Sequence, residues 1–162
     1  MSDFETCFKI IKKFEGGIVN NPYDPGGLTK WGVTQKYYDA VNAHYGRPKA
    51  PVVSMTEPDL VLVYSHIWKM SKAEQLKPPL QLIQFDTAVN FGEFDAVARL
   101  QQAANILGGN LVVDGLYGPK TRATVNAIDP RNLARIIVLY RMKHRVDRVD
   151  SNRSQRDFLL GW

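Results

Sequence analysis

Residues 3–34 read DFETCFKIIKKFEGGIVNNPYDPGGLTKWGVT and combine a helical pattern with a segment that opposes a helix. Apolar side chains recur at helical spacing as far as Phe14, and the glycines at 16 and 17 are typical of a helix end. The stretch from Ile18 to Val33 holds two Asn, two Pro and three Gly, which favour a loop or a small irregular β-hairpin. The sequence therefore predicts a first helix followed by an inserted irregular segment.

The rest of the chain has the pattern of a helical protein. Thr34 is a plausible N-cap, and proline or glycine marks the ends of most of the later periodic segments. The predicted helices cover residues 34–45, 56–68, 79–91, 94–107, 119–128 and a last long segment from residue 130. We predict a mainly α fold, a helical bundle with a small irregular β-hairpin or loop after the first helix.

Composition excludes several classes of protein. The chain has 162 residues with 44% hydrophobic and 23% charged side chains, which is typical of a globular domain. Its one cysteine, Cys7, allows no intrachain disulfide and is expected to be an inert core residue. No apolar run approaches the roughly 20 residues that span a bilayer, and the three histidines lack zinc-ligand spacing. We expect no membrane insertion, no metal and no cofactor.

The positive charge is concentrated near the C-terminus. The net charge is +5, yet residues 120–162 contain ten Lys and Arg against four Asp. Two interpretations stay open for this basic segment. It is either the solvated face of a helix or a docking surface for a polyanion such as a cell-wall polymer.

Glu15 is the first candidate for chemistry. The helical periodicity places it on the apolar face of the first helix, in the last turn, near Phe8 and Ile11. Burial and the negative end of the helix dipole both raise the pKa of a carboxyl group, which suits a general acid. The alternative is a surface glutamate at a frayed helix end.

A second carboxylate follows in the irregular segment. Asp24 lies in a glycine- and proline-rich turn, where it should be solvated and ionised, and two carboxyl groups in contrasting environments are typical of glycosidic bond cleavage. Thr29 could position a water, and Tyr23 and Trp31 offer flat apolar faces for sugar rings. The alternative for Asp24 is a plain tight turn.

Two pairs in the later helices are further candidates. Asp86 and Asn90 are one turn apart, so Asn90 could reach substrate, or the pair could form buried structural hydrogen bonds. Tyr64 and Trp68 are also one turn apart. Aromatic residues at this spacing usually belong to a core, but Trp68 could line a sugar subsite.

These motifs resemble those of one enzyme family. EGG at 15–17, NxPxDPGGxT at 20–29 and GVT at 32–34 are similar to the N-terminal signature of glycoside hydrolase family 108, the phage and bacterial N-acetylmuramidases. DTAVNFG at 86–92 is similar to the second block of that family. The region from residue 100 to DGLYGPKT at 114–121 resembles its peptidoglycan-binding part. Gly161 and Trp162 match the start of a block that normally continues, so we expect the chain to end slightly short.

The resemblance implies a lysozyme-like α+β fold. It also implies hydrolysis of the β-1,4 bond between N-acetylmuramic acid and N-acetylglucosamine, with Glu15 as general acid. The spacing of Glu15, Asp24 and Thr29 resembles the catalytic triad of phage-type lysozymes, which usually has one more residue between Asp and Thr. We expect a lysozyme-like catalytic region at residues 1–92 and a helical peptidoglycan-binding region at 93–162, packed on it as one compact unit.

Two other functions stay open at this stage. A lytic transglycosylase would cleave the same bond without an activated water, and a non-catalytic wall-binding or DNA-binding module would use the basic segment alone. The N-terminus does not resemble a signal peptide. We therefore expect a monomer made in the cytoplasm that reaches the cell wall or periplasm through a holin or another export route. Peptidoglycan, and not nucleic acid, is the expected partner.

Overall fold

The computed structural model describes residues 3–14, 17–20 and 28–151, with the backbone alone for residues 18–20. The chain divides into two compact units, Met1–Ile67 and Trp68–Trp162. The boundary falls inside one helix. Each unit has its own buried core and is described separately.

The first unit begins with helix α1, Asp3–Lys12. Its acidic residues lie in the first turn and its lysines in the last turn, an order that the helix dipole favours. The helix buries Cys7, Phe8 and Ile11, as its periodicity predicts. The apolar face was predicted to extend to Phe14. This was wrong, because α1 ends at Lys12 and Phe14 is 84% exposed in the turn that follows.

Three short antiparallel strands form the β element of this unit. They are β1 (Ile18–Asn20), β2 (Leu28–Lys30) and β3 (Val33–Thr34), in the order β1-β2-β3. Helix α2, Gln35–His44, follows β3 directly, and the Thr34 side chain accepts a hydrogen bond from the backbone N–H of Tyr37. The predicted N-cap role of Thr34 is confirmed.

Helix α3, Glu57–Met70, contains the boundary between the units. Thr56 and Asp59 cap its start, since the backbone N–H and the hydroxyl of Thr56 both donate to Asp59 Oδ2. Within the first unit, α3 supplies buried Leu60, Val63 and Tyr64 to the core. The Tyr64 ring lies 5.2 Å from that of Phe8 in α1.

The described part of the second unit consists of helices and the loops that join them. Its helices are α4 (Leu80–Phe91), α5 (Glu93–Ile106), α6 (Pro119–Asn126) and α7 (Pro130–Ser151). Helices α4, α5 and α7 pack against one another, and α6 packs on α5. The core between them consists of aliphatic side chains: Leu76, Leu80, Leu100, Ala103, Ala104, Leu111, Val125, Leu133, Ala134 and Ile137.

The prediction of a mainly α fold with a small β element after the first helix is confirmed. The helix ends agree with the sequence signals within a few residues. Gly92, for example, joins α4 to α5 with φ = +87°, a conformation that glycine adopts without strain. Within the described residues, no helix is both long and apolar enough to cross a bilayer. The same residues contain no group of three or more His, Cys, Asp or Glu side chains arranged to hold a metal ion.

Candidate active site

Three of the predicted site residues, Glu15, Tyr23 and Asp24, lie outside the described residues. The other four are described. Thr29 and Trp31 belong to the first unit, and Trp68 and Asn90 belong to the second.

Thr29 is the central residue of β2 and of the three-stranded sheet. Its backbone is in register with Val19 in β1 and with Thr34 in β3. The Thr29 side chain is half-buried. A strand paired on both sides holds its side chains in fixed directions, so Thr29 is presented by a rigid element.

Trp31 and Gly32 form the two-residue turn between β2 and β3. Their φ angles are +50° and +76°, which match a type I′ turn. A tryptophan in this left-handed conformation is strained, and such strain persists only where the surroundings fix it. Two hydrogen bonds do so here. The Trp31 N–H donates to the Gly17 carbonyl at 3.0 Å, and the Tyr64 hydroxyl donates to the Trp31 carbonyl at 3.1 Å.

Lys30 fixes the position of the indole ring. Its ammonium donates to the carbonyl oxygens of Val53 and Met55, each at 2.8 Å, and lies 4.5 Å from the centroid of the Trp31 ring. A cation at this distance attracts the face of the ring. The result is a half-buried aromatic side chain, held against a cation, two residues from Thr29. Such a ring can stack on the apolar face of a sugar.

Asn90 is exposed at the end of α4, and its side-chain amide has a defined orientation. Nδ2 donates to the backbone carbonyl of Asp86 at 2.8 Å and to Asp86 Oδ1 at 3.3 Å. Both of these atoms accept hydrogen bonds, so the nitrogen must face them and Oδ1 of Asn90 must face away. The pair does form hydrogen bonds. These hydrogen bonds are exposed, so the expectation that Asp86 and Asn90 form buried structural hydrogen bonds is corrected.

Arg141 of α7 holds Asp86 in place. Its guanidinium donates to Asp86 Oδ2 at 2.5 Å and to the Thr87 hydroxyl at 3.4 Å. The Arg141 side chain is 9% exposed and that of Asp86 is 34% exposed. Arg141 therefore belongs to a largely buried ion pair, and it is not part of a solvated basic face. Its partner lies 55 residues earlier in the sequence.

Trp68 is a core residue, and its prediction as a substrate-binding residue was wrong. Its side chain is 6% exposed and its ring meets that of Phe85 edge to face, with the centroids 5.2 Å apart. A sugar stacks only on an exposed ring face, and the packing of Trp68 against Phe85 of α4 leaves its ring buried. Helical spacing identifies the side of α3 on which Trp68 lies, but not what covers it.

Gln101 is a structural residue that sequence reasoning did not single out. It is buried, and its Oε1 accepts from the backbone N–H groups of Asp114 and Gly115 at 3.1 and 2.9 Å. Its Nε2 donates to Asp114 Oδ1 at 2.8 Å and to the Leu116 carbonyl at 3.0 Å. The hydrogen bond from Gln101 is the main reason for a lowered pKa of Asp114. One side chain thus holds the first three residues of the DGLYG loop, Asp114 to Leu116.

The comparisons with known proteins agree with this architecture. A family model described as glycosyl hydrolase 108 matches residues 8–92, and one described as a predicted peptidoglycan domain matches residues 95–162. Among solved structures, that of Brucella abortus SagA superposes with a TM-score of 0.77 at 24% identity, over 98% of this chain and 86% of that one. A search of curated proteins found no match.

The likeness to the solved structure confirms the predicted lysozyme-like α+β fold. The division at residue 92, and the packing of the two regions as one unit, stay predictions. The glycosyl hydrolase 108 model covers more than half of the chain. The protein therefore belongs to that family, and it is a glycoside hydrolase that acts on peptidoglycan.

Proposed function

We propose that this protein is an N-acetylmuramidase that cleaves the β-1,4 bond between N-acetylmuramic acid and N-acetylglucosamine. Glu15 acts as general acid. Asp24 acts on the opposite side of the sugar, as base or as stabiliser of the positive charge that develops in the transition state. The observation that carries the proposal is the family match over residues 8–92, a range that includes both carboxylates.

Thr29 and Trp31 follow Asp24 closely in the sequence, and their places in the sheet support a role for both in the site. Thr29 lies on a strand paired on both sides, which suits a group that positions a water. The turn at Trp31 is strained, and Tyr64 and Lys30 hold it in place. A hairpin with only a structural role would have Asn-Gly at this turn, which adopts the same conformation with less strain. In this proposal Trp31 and Tyr23 form the floor of a sugar subsite.

For Asn90, in the second unit, we propose recognition of an N-acetyl group of the glycan. Since its Nδ2 is held by Asp86, its outward atom is the acceptor Oδ1. An amide N–H on the sugar is the matching donor. Trp68 has no part in the proposed subsite because it is buried.

The test is lysis of purified cell walls, followed by the turbidity of the suspension, with Glu15→Gln against the wild type. Loss of a general acid should reduce the rate at least about 100-fold. Glu74→Gln is the matched control, because Glu74 is exposed in the second unit and should leave lysis unchanged. Circular dichroism of both variants should match that of the wild type. Lysis at a normal rate by Glu15→Gln would reject the assignment.

Product analysis separates the remaining mechanisms. Hydrolysis leaves reducing N-acetylmuramic acid ends, which mass spectrometry distinguishes from the anhydro ends of a transglycosylase. Asp24→Asn should lower kcat far more than it raises KM if Asp24 acts in the transition state. Anhydro ends as the main product would replace the muramidase proposal. If the wild type binds walls but cleaves no bond, the protein is a non-catalytic wall-binding module and the muramidase proposal is rejected.

Cellular role and assembly are part of the same proposal. We propose a bacteriolytic, endolysin-type protein that is made in the cytoplasm, reaches the wall by a holin or another export route, and acts there as a monomer. Co-expression with and without a holin should decide between the two routes, since lysis in the absence of a holin would require another export route. Light scattering after size exclusion should give the mass of one 18.3 kDa chain.

A further inference from the structure

The loop that joins α5 to α6 runs back along α5, because two amide side chains of that helix hold it. Near the end of α5, the Asn105 side chain bonds both backbone groups of Leu111, at 2.7 and 2.9 Å. One helical turn earlier, Gln101 bonds the backbone of residues 114–116. Later loop residues thus meet earlier helix residues, so the loop lies antiparallel to the helix and is fixed along its length.

Phe94, in the first turn of α5, attaches the same loop at a third place. A Cβ atom on Gly115 would lie 2.5 Å from Cε2 of the Phe94 ring and 2.7 Å from its Cζ, so the ring fills the space of a side chain. Gly115 also has φ = +69°, in the left-handed region that favours glycine. A glycine at 115 is therefore required for the ring to lie against the loop backbone.

This fixed loop carries large apolar side chains that remain exposed to solvent. The exposed fractions are 62% for Phe94, 64% for Leu116 and 73% for Val112. Contiguous exposed apolar side chains are typical of interaction sites. A surface that is already rigid also loses little conformational freedom when a ligand binds. The loop and Phe94 therefore suit a ligand that has an apolar face.

Asp114 adds a hydrogen-bond acceptor next to the ring. Its Oδ1 accepts from Gln101 Nε2 at 2.8 Å and from the Leu116 N–H at 2.9 Å. No other described residue donates a hydrogen bond to its Oδ2. The hydrogen bond from Gln101 is the main cause that lowers the pKa of Asp114, so this exposed carboxylate is ionised at neutral pH. Since Asp114 directly precedes Gly115, a fixed anionic acceptor lies beside the residue on which Phe94 packs.

We propose that Phe94 and Asp114 form a binding site for a neutral N-acetylhexosamine of the peptidoglycan glycan strand. The C–H groups on one face of a pyranose stack on an aromatic ring, and the hydroxyl groups at its rim donate to a carboxylate. The negative charge of Asp114 disfavours phosphate-bearing wall polymers. The identity of the sugar rests on the proposed function. The loop lies in the range 95–162 that the peptidoglycan model matches, and Phe94 directly precedes that range.

The experiment follows the backbone amide NMR signals of Gly115 and Leu116 in the isotope-labelled full chain while chitotetraose, a neutral oligomer of N-acetylglucosamine, is added. These signals should shift and saturate in the wild type. Phe94→Ala should weaken the affinity read from them at least about fivefold, whereas Phe94→Tyr, which keeps the ring, should stay within about twofold. The indole N–H signal of Trp31 reports separately on the proposed subsite of the first unit.

Two control variants match the substitutions. Ile106→Ala removes a side chain that is 56% exposed at the other end of α5, and the affinity should change less than about twofold. Asp114→Asn keeps an oxygen for Gln101 but replaces the second oxygen by a donor, so it should weaken binding at least about threefold. Asp129→Asn is its control, because Asp129 is also exposed and also bonds a backbone N–H through Oδ1. Melting curves check that every variant folds.

Several results would overturn the site. They are unshifted Gly115 and Leu116 signals in the wild type, equal affinities in Phe94→Ala and Ile106→Ala, and equal affinities in Asp114→Asn and Asp129→Asn. Shifts of the same signals that depend on protein concentration without sugar would assign the surface to a second copy of the chain and also overturn it.

Failure of this inference is distinguishable from failure of the proposed function, because binding and wall lysis are measured separately. Normal wall lysis with no sugar-dependent shift at Gly115 rejects only the site. Saturable binding that depends on Phe94 and Asp114, without bond cleavage, supports the site and rejects the muramidase.

Discussion

Removing the carboxylate of Asp86 should destabilise the protein strongly, although the substitution to Asn changes almost no volume. Asp86→Asn leaves the Arg141 guanidinium, 9% exposed, without its ion-pair partner. Breaking a buried ion pair from one side costs about 3–5 kcal/mol. Asp86 is itself 34% exposed, so solvent screens part of this and we expect about 2–3 kcal/mol.

The assay is urea unfolding followed by far-ultraviolet circular dichroism, which reports the helices. A loss of this size should also lower Tm by roughly 5–10 °C in a chain of this length. Asp147→Asn is the matched control. It breaks the ion pair between Asp147, 57% exposed, and Lys143, 70% exposed. The loss of this pair should cost less than about 1 kcal/mol.

A double variant tests the physical reason. In Asp86→Asn/Arg141→Met the buried cation is absent, so most of the lost stability should return. Equal free energies of unfolding for Asp86→Asn and Asp147→Asn would refute the reasoning. A double variant no more stable than Asp86→Asn would show that the cost does not come from the unpaired guanidinium.

Three further predictions concern local structure. Trp31→Gly should be about 1 kcal/mol more stable to urea than Trp31→Ala, because φ = +50° strains any residue with a Cβ; equal stability would mean that the turn is unstrained. Gln101→Leu should cost at least about 2 kcal/mol by the same measurement, because two backbone N–H groups lose their acceptor, whereas half-buried Gln102→Leu should cost less. Hydrogen bonds from Thr56, and then from Arg47, lower the pKa of Asp59 to about 2. The stability that Asp59 supplies is therefore present above about pH 4 and is lost as pH falls towards 2. Tm measured from pH 5 to pH 2 should fall less steeply in Asp59→Asn than in the wild type, and parallel curves would contradict this.

Local signals in the amino-acid sequence predicted the order of the elements and most of their ends. The cap of α2 at Thr34, the start of α6 at Pro119 and the joint at Gly92 were all predicted correctly. These features depend on residues within one turn of each other, so their physical causes lie close together in the sequence. The irregular segment before residue 34 was also evident, because its prolines and glycines oppose a helix.

Which side chains are available for chemistry depends on how the helices and strands pack, and local signals in the sequence do not show this. Trp31 and Trp68 are both aromatic candidates in the sequence, yet one lies half-buried in a strained turn and the other lies in the core against Phe85. Arg135 and Arg141 lie on the same helix, yet only Arg141 is largely buried and paired with Asp86. Burial and pairing depend on residues distant in the sequence, which local periodicity does not encode. The packing of α4, α5 and α7 therefore determines which of these charges reach the solvent.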